Sequence, residues 1–169
     1  MTNPNDSAIE QLAQRPDSGT TPMTGQSVFV PGVPQQKGNI IRGRWGGYHD
    51  ANKKLLPWMQ AIVAAIHDAG WEPILHGPVF VSLMFVFPRP KAHYGTGRNQ
   101  NVLKPSAPQM HTVAPDADKL MRSVLDALTE SGAIRDDSQV AWWRGSKRYT
   151  DTVHPVPGVC IHIDEVATP

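Results

Sequence analysis

The chain has a single cysteine, Cys160, among its 169 residues, so no internal disulfide can form and a reducing compartment suits it. Long apolar runs are missing. The longest are too short to span a bilayer, so no membrane span is expected. Residues 1–25 lack the basic start and apolar run of a secretory signal. A cytoplasmic location is the expectation. A strong net charge is missing too: 16 Lys and Arg stand against 15 Asp and Glu, for a net +1, which is not the profile of a generic polycationic nucleic-acid binder. There is no phosphate-cradling Gly-rich loop of P-loop or dinucleotide type, and no internal repeat. Cys160-x-His162 lacks the second cysteine or close histidine pair of a zinc site and reads as structural.

What is present divides the chain in two. Residues 1–25 are rich in Ser, Thr, Asn, Gln, Pro and Gly, too polar to offset their ordering entropy, and read as a disordered tail. Residues 26–169 are long enough for one domain with a self-sufficient core. The tail holds Asp6, Glu10 and Asp17 against Arg15, so the remaining domain is the more basic part. Ser27–Val30 reads as a strand ending at Pro31, and Asn39–Gly43 as a second short one. Asp50–Ala69 reads as a helix with Leu55, Leu56, Met59, Ile62, Val63 and Ile66 as its buried stripe. Pro57 requires that helix to begin near Leu56 or to kink in its first turn. Trp58 reads as core or interface rather than as a platform for bases. Pro78–Phe87 reads as a strand that is apolar on both faces, so it should be covered on both sides. Gln139–Tyr149 reads as a strand with Val140 and Trp142 on one face and Trp143 on the other. Val159–Val166 is the last strand. The expected fold is α/β of the α+β kind: a small mixed sheet of about four or five strands flanked by at least two helices.

The most informative stretch is Pro115–Thr129 with its sequel Asp136-Asp-Ser-Gln-Val140. Leu120, Met121, Val124, Leu125 and Leu128 recur at helical spacing, Asp116 is of N-cap type, and Gly132 is a stop signal. Asp118, Arg122 and Asp126 stack on a neighbouring stripe. Aspartates gathered this closely repel one another, and a cation, hydrogen bonds or solvent must offset the cost. Ahead of the helix, residues 89–115 lack a clear period and carry Arg89, Lys91, Arg98 and Lys104 with no acidic residue. That composition suggests a flap that tracks a phosphate backbone. Lys37, Arg42 and Arg44, then Lys119, Lys147 and Arg148, complete the candidate phosphate contacts.

Three segments in order, Pro115-Asp-Ala-Asp-Lys-Leu120, Leu125-Asp-Ala-Leu128 and Asp136-Asp-Ser-Gln-Val140, resemble the signature of RusA-type Holliday junction resolvases. Val30-Pro-Gly-Val-Pro-Gln-Gln-Lys-Gly38 is similar to that family's opening strand and turn. The resemblance implies that Asp116, Asp118 and Asp137 are metal-binding and catalytic. Arg122 stands where the family commonly has a catalytic lysine, and Lys119 where it usually has asparagine. Asp126 and Asp136 belong to the pattern as supporting residues. Carboxylates without cysteine or clustered histidine suit Mg²⁺, with Mn²⁺ as an alternative. The implied activity is paired nicking of four-way DNA junctions in recombination and repair. Competing readings are a related nuclease of flaps or forks, a catalytically inactive junction-binding protein, and a small-molecule binding domain.

Chain geometry adds a constraint. From Asp118 to Ser131 a helix rises roughly 20 Å. The six residues on to Asp137 span at most about 20 Å when fully extended. Asp137 therefore meets Asp118 of its own chain only if residues 132–136 run almost straight back or the helix ends early. Otherwise the site is shared between two subunits. A homodimer is expected, because a four-way junction is itself close to two-fold symmetric.

Overall fold

A computed structural model describes residues 25–166 apart from Gly43 and Trp45. The expected tail, residues 1–25, lies outside the described residues except for Gly25. In chain order the elements are β1 (Gln26–Pro31), β2 (Ile40–Arg42), β3 (Tyr48–Asp50), α1 (Leu55–Asp68), β4 (Val79–Phe87), α2 (Ala117–Glu130), β5 (Val140–Tyr149) and β6 (Gly158–Glu165). β1, β6, β4 and β5 form a four-stranded mixed sheet in that order. β2 and β3 pair as a separate two-stranded ribbon. No described helix is long and apolar enough to cross a membrane. The α+β architecture matches expectation.

β4 is the centre. It pairs antiparallel with β6 and parallel with β5, and all nine of its residues are buried. Val79, Val81, Leu83, Phe85 and Phe87 join Val159, Ile161 and Ile163 of β6 in the main core. Trp58, Ile62 and Ile66 of α1 and Leu120, Val124 and Leu128 of α2 close it from the helical side. The opposite face of β4 gathers Met84 and Val86 with Cys160 and Phe29. Burial pushes the Cys160 thiol up to about 12, so it is inert at neutral pH.

Three local expectations are corrected. Residues 50–54 are not helical. Asp50 ends β3 and accepts from the amides of Gly38 and Asn52, which fixes the turn ahead of α1. α1 starts at Leu55, which puts Pro57 in the first turn, where no intrahelical donor is needed. The buried stripe then runs Leu55, Trp58, Ile62 and Ile66, and Leu56 is exposed. In β5 the register shifts by one residue: Val140 lies beside Val79 but Trp142 beside Phe80. This bulge puts Val140 and Trp142 on opposite faces, because an extra residue inverts the alternation.

Candidate active site

α2 presents its carboxylates at its start. Asp116 is the N-cap residue, yet its carboxylate caps nothing; it pairs with Lys119 at 3.1 Å. That corrects the capping expectation, and the cation one turn on is the physical reason. The Asp116 amide donates to Gln36 Oε1 at 2.8 Å, and Ser123 Oγ donates to the Gln35 carbonyl at 2.9 Å. The segment after β1 thus braces the helix start. Asp118 and Arg122 are exposed on the first turns, and among the described residues no ion pair joins Arg122 to Asp118 or Asp126. Asp126 is held instead by Lys37.

The other end of α2 is closed by Gly132, whose φ of 76° turns the chain so that the amides of Ala133 and Ile134 both reach the Leu128 carbonyl. Asp137 follows in a 3₁₀ turn, Asp137–Gln139, with a reciprocal cap. Asp136 accepts from the Ser138 amide, and Gln139 Oε1 accepts from the amides of Arg135 and Asp136. The hydrogen bonds from Ser138, with help from Arg135, hold the Asp136 carboxyl below its ordinary range. Gln139 Nε2 reaches the carbonyls of Ile74 and Gly77, which pins the turn to the body of the protein. Asp137 itself is exposed.

β5 then measures how far apart the acidic groups lie. Lys147 Nζ donates to the carbonyls of Val113 at 2.7 Å and Pro115 at 2.6 Å, so that end of β5 sits beside Asp116. Between Val140 and Lys147 the strand advances about 23 Å. Asp137 precedes Val140 by three residues. Within one chain Asp137 is therefore on the order of 20 Å from Asp116 and Asp118. Residues 132–136 do not run back along the helix. Among the described residues no three His, Cys, Asp or Glu side chains are grouped to hold a metal ion.

The candidate phosphate contacts divide. Arg42, Arg44, Lys91 and Arg98 are exposed, Arg44 with a contact of its own within the chain. Others are engaged by their own chain. Arg89 donates to the carbonyls of Thr150 and Pro108 and lies over the Tyr149 ring, and Lys104 donates to the Ala92 carbonyl. Arg148 pairs with Asp151 at 2.6 Å. Burial alone would raise the Asp151 carboxyl, but hydrogen bonds from His154 and the Arg148 charge hold it below its ordinary range. The flap is also less open than its composition suggests. It carries two 3₁₀ turns, Lys91–His93 and Gly97–Asn99, and residues 109–111 add to the edge of β5.

Sequence reasoning missed the bracing role of Gln36 and the burial of His111. Gln36 lies in the turn resembling the family's opening, but nothing local shows that it reaches Asp116. His111 stacks on Phe87 at 4.1 Å beneath the flap. Burial first, then the Lys147 charge, pushes its pKa down. Its place directly before the acidic motif was the available signal.

Fold and site together define a class: an α+β domain with solvent-facing aspartates at both ends of one helix and a basic segment leading into it. The family model described as Endodeoxyribonuclease RusA matches residues 31–164, most of the chain. The chain belongs to the RusA endodeoxyribonuclease family, and membership implies a Holliday junction endonuclease acting on branched DNA. Among curated proteins none matches the chain.

Proposed function

We propose that this chain is a metal-dependent endodeoxyribonuclease that resolves four-way junctions by paired symmetric nicks in DNA recombination and repair, in the cytoplasm. It works as a homodimer in which each site takes Asp116 and Asp118 from one copy and Asp137 from the other. The observation that carries this reading is the division of three exposed carboxylates between opposite ends of one chain, in a family of junction endonucleases.

One chain alone does not fit a three-carboxylate metal site, whereas two chains supply a full oxygen donor set without sulfur or imidazole. That set suits Mg²⁺, with Mn²⁺ as a substitute. When bound, such an ion polarises a phosphoryl oxygen and lowers the pKa of an attacking water. The remaining work falls to the chain's own groups. Arg122, exposed one turn beyond Asp118, meets the charge that builds on the scissile phosphate but gives up no proton. Lys119 offsets the charge of Asp116. Asp126 and Asp136 act as supports: the first ties the Lys37 turn to α2, the second fixes the turn that carries Asp137. Arg42, Arg44, Lys91 and Arg98 hold the arms of the junction by their phosphates.

The test is cleavage of a synthetic mobile four-way junction beside matched linear duplex and fork substrates, in Mg²⁺, in EDTA and with Asp118→Asn. Symmetric nicks on the junction alone, lost in EDTA and in the variant, are expected. Junction binding without cutting would replace the enzyme by a binding protein. Equal cutting of all substrates would retain the chemistry and remove the junction specificity.

A further inference from the structure

We propose that the helix-free face of the main sheet is the docking surface for this chain's own segment ahead of β1, residues 6–24, which lie outside the described residues. The segment folds back over the sheet as a third layer.

The two faces of the sheet are unlike. Both described helices pack on the side of Val81, Leu83 and Phe85. On the other side β4 turns Phe80, Ser82 and Met84, and β6 turns Cys160 and His162. The apolar cluster there, Met84, Val86 and Cys160 with Phe29, is built from strand residues alone. A sheet face left to water is polar, and its central side chains are wet. This face is apolar and closed. Phe80 is 2% exposed, His162 1%, and Ser82 and Cys160 0%, yet among the described residues no helix covers them. From β5, Arg144 Nε reaches across to Ser82 Oγ at 2.9 Å, and the Arg148 guanidinium reaches Met84 Sδ at 3.9 Å. The β5 side of the face is therefore basic. A buried apolar sheet face calls for a layer above it.

The chain enters on this face. A Cβ at Gly25 would lie 2.6 Å from His162 Cε1 and would run into the Ile163 carbonyl, so the backbone of residue 25 lies against the His162 ring. Gln26 is anchored at the same corner by hydrogen bonds with the amide and carbonyl of Glu72, and Ser27 Oγ meets His162 Nδ1 at 2.7 Å. The segment ahead of Gly25 thus starts from the rim of the helix-free face. Its sequence fits the surface. Ala8, Ile9, Leu12 and Ala13 recur at helical spacing, Ser7 and Glu10 have the spacing of a capping box, and Pro16 is a stop signal. A helix over residues 8–15 rises about 12 Å, and a four-stranded sheet is about 14 Å across. Residues 16–24 reach about 30 Å when extended, enough to carry that helix from Gly25 over to β5. Charge agrees as well: Asp6, Glu10 and Asp17 outnumber Arg15 in the segment, and Arg144 and Arg148 await them on β5. Composition averaged over residues 1–25 hides this one apolar stripe, which is too short to hold a helix alone but not against a sheet.

Cys160, the single cysteine, lies on the covered face and reports on its cover. The experiment times its reaction with a small aromatic disulfide reagent in the full chain under native conditions. Ile9→Asp combined with Leu12→Asp destroys the apolar stripe and should speed the reaction at least about ten-fold, whereas Gln14→Glu, on the opposite side of the helix, should leave it at the parent rate. Hydrogen exchange in the parent chain is the second measurement. The amides of residues 8–13 should exchange at least about ten-fold more slowly than in a synthetic peptide of residues 1–24. Exchange at the peptide's rate overturns the proposal, and does so even where the double variant fails to fold. A double variant that keeps β4 protected but labels Cys160 no faster than the parent overturns it too. A parent labelling rate that falls as protein concentration rises, with the double variant labelled at the same rate, assigns the cover to a second copy and overturns the docking of residues 6–24.

Discussion

If Asp137 serves the partner's site, two different inactive chains must rescue each other. Consider Asp118→Asn and Asp137→Asn, each inactive alone because each homodimer lacks one carboxylate in both sites. In a mixed dimer one site combines both lesions, and the other combines the intact Asp118 of one chain with the intact Asp137 of the other. Random reassociation at equal amounts gives mixed dimers as about half of the population, each with one working site, so about a quarter of wild-type sites return. The nature of the product is as informative as its amount. One working site per dimer cuts one strand, so the junction is nicked but not resolved. The assay is an end-labelled junction run on a denaturing gel for nicks and a native gel for resolved duplexes. The separation of about 20 Å between Asp137 and Asp116 within a chain makes this prediction strict, since metal–oxygen distances are near 2 Å. No recovery of nicking after verified subunit exchange would refute a shared site. Full resolution by mixed dimers would equally refute the one-site arithmetic.

Three other outcomes follow from the packing. Burial pushes the pKa values of His111 and His154 below the ordinary value near 6.5, so both stay neutral in the folded chain while the unfolded chain protonates first. The stability they permit is present above about pH 6.5 and falls as the pH drops through their folded values; melts across that range should show a steeper loss for the parent than for His111→Phe. Leu128, fully buried between α2 and the sheet, should cost about 2–5 kcal/mol when cut to alanine, read from urea unfolding, and a loss under about 1 kcal/mol would contradict the described core. Lys147→Met keeps the stem but leaves the carbonyls of Val113 and Pro115 without their donor. It should cost about 1–3 kcal/mol and speed amide exchange at residues 116–120, and unchanged exchange there would remove its bracing role.

Much of this was legible locally. The two-sided apolar run of β4 and the stripe of α2 state their burial in the sequence, because period and burial are the same fact in a helix or strand. The limits are equally physical. The bulge at Ala141 carries no local mark, so the faces of Val140 and Trp142 were inverted. Asp116 has the chemistry of a cap, but Lys119 competes for its carboxylate, and only three-dimensional proximity decides that. Arg89 and Lys104 look like solvated charge in a loop, yet backbone carbonyls distant in the chain recruit them. The distance between Asp118 and Asp137 could be bounded from helix rise, but its resolution needed the parallel pairing of β5 with β4, a contact between segments some sixty residues apart.

The two sheets differ in how deeply they are anchored. β4 is bonded on both sides and buried along its whole length, so its amides should exchange with solvent only when the entire domain opens. Among the described residues the β2–β3 ribbon pairs with no strand of the main sheet, so its amide protons should exchange orders of magnitude sooner than those of β4. If Arg42 holds a phosphate as proposed, its segment is the one that can adjust to the DNA, while the strand that spaces the aspartates stays fixed.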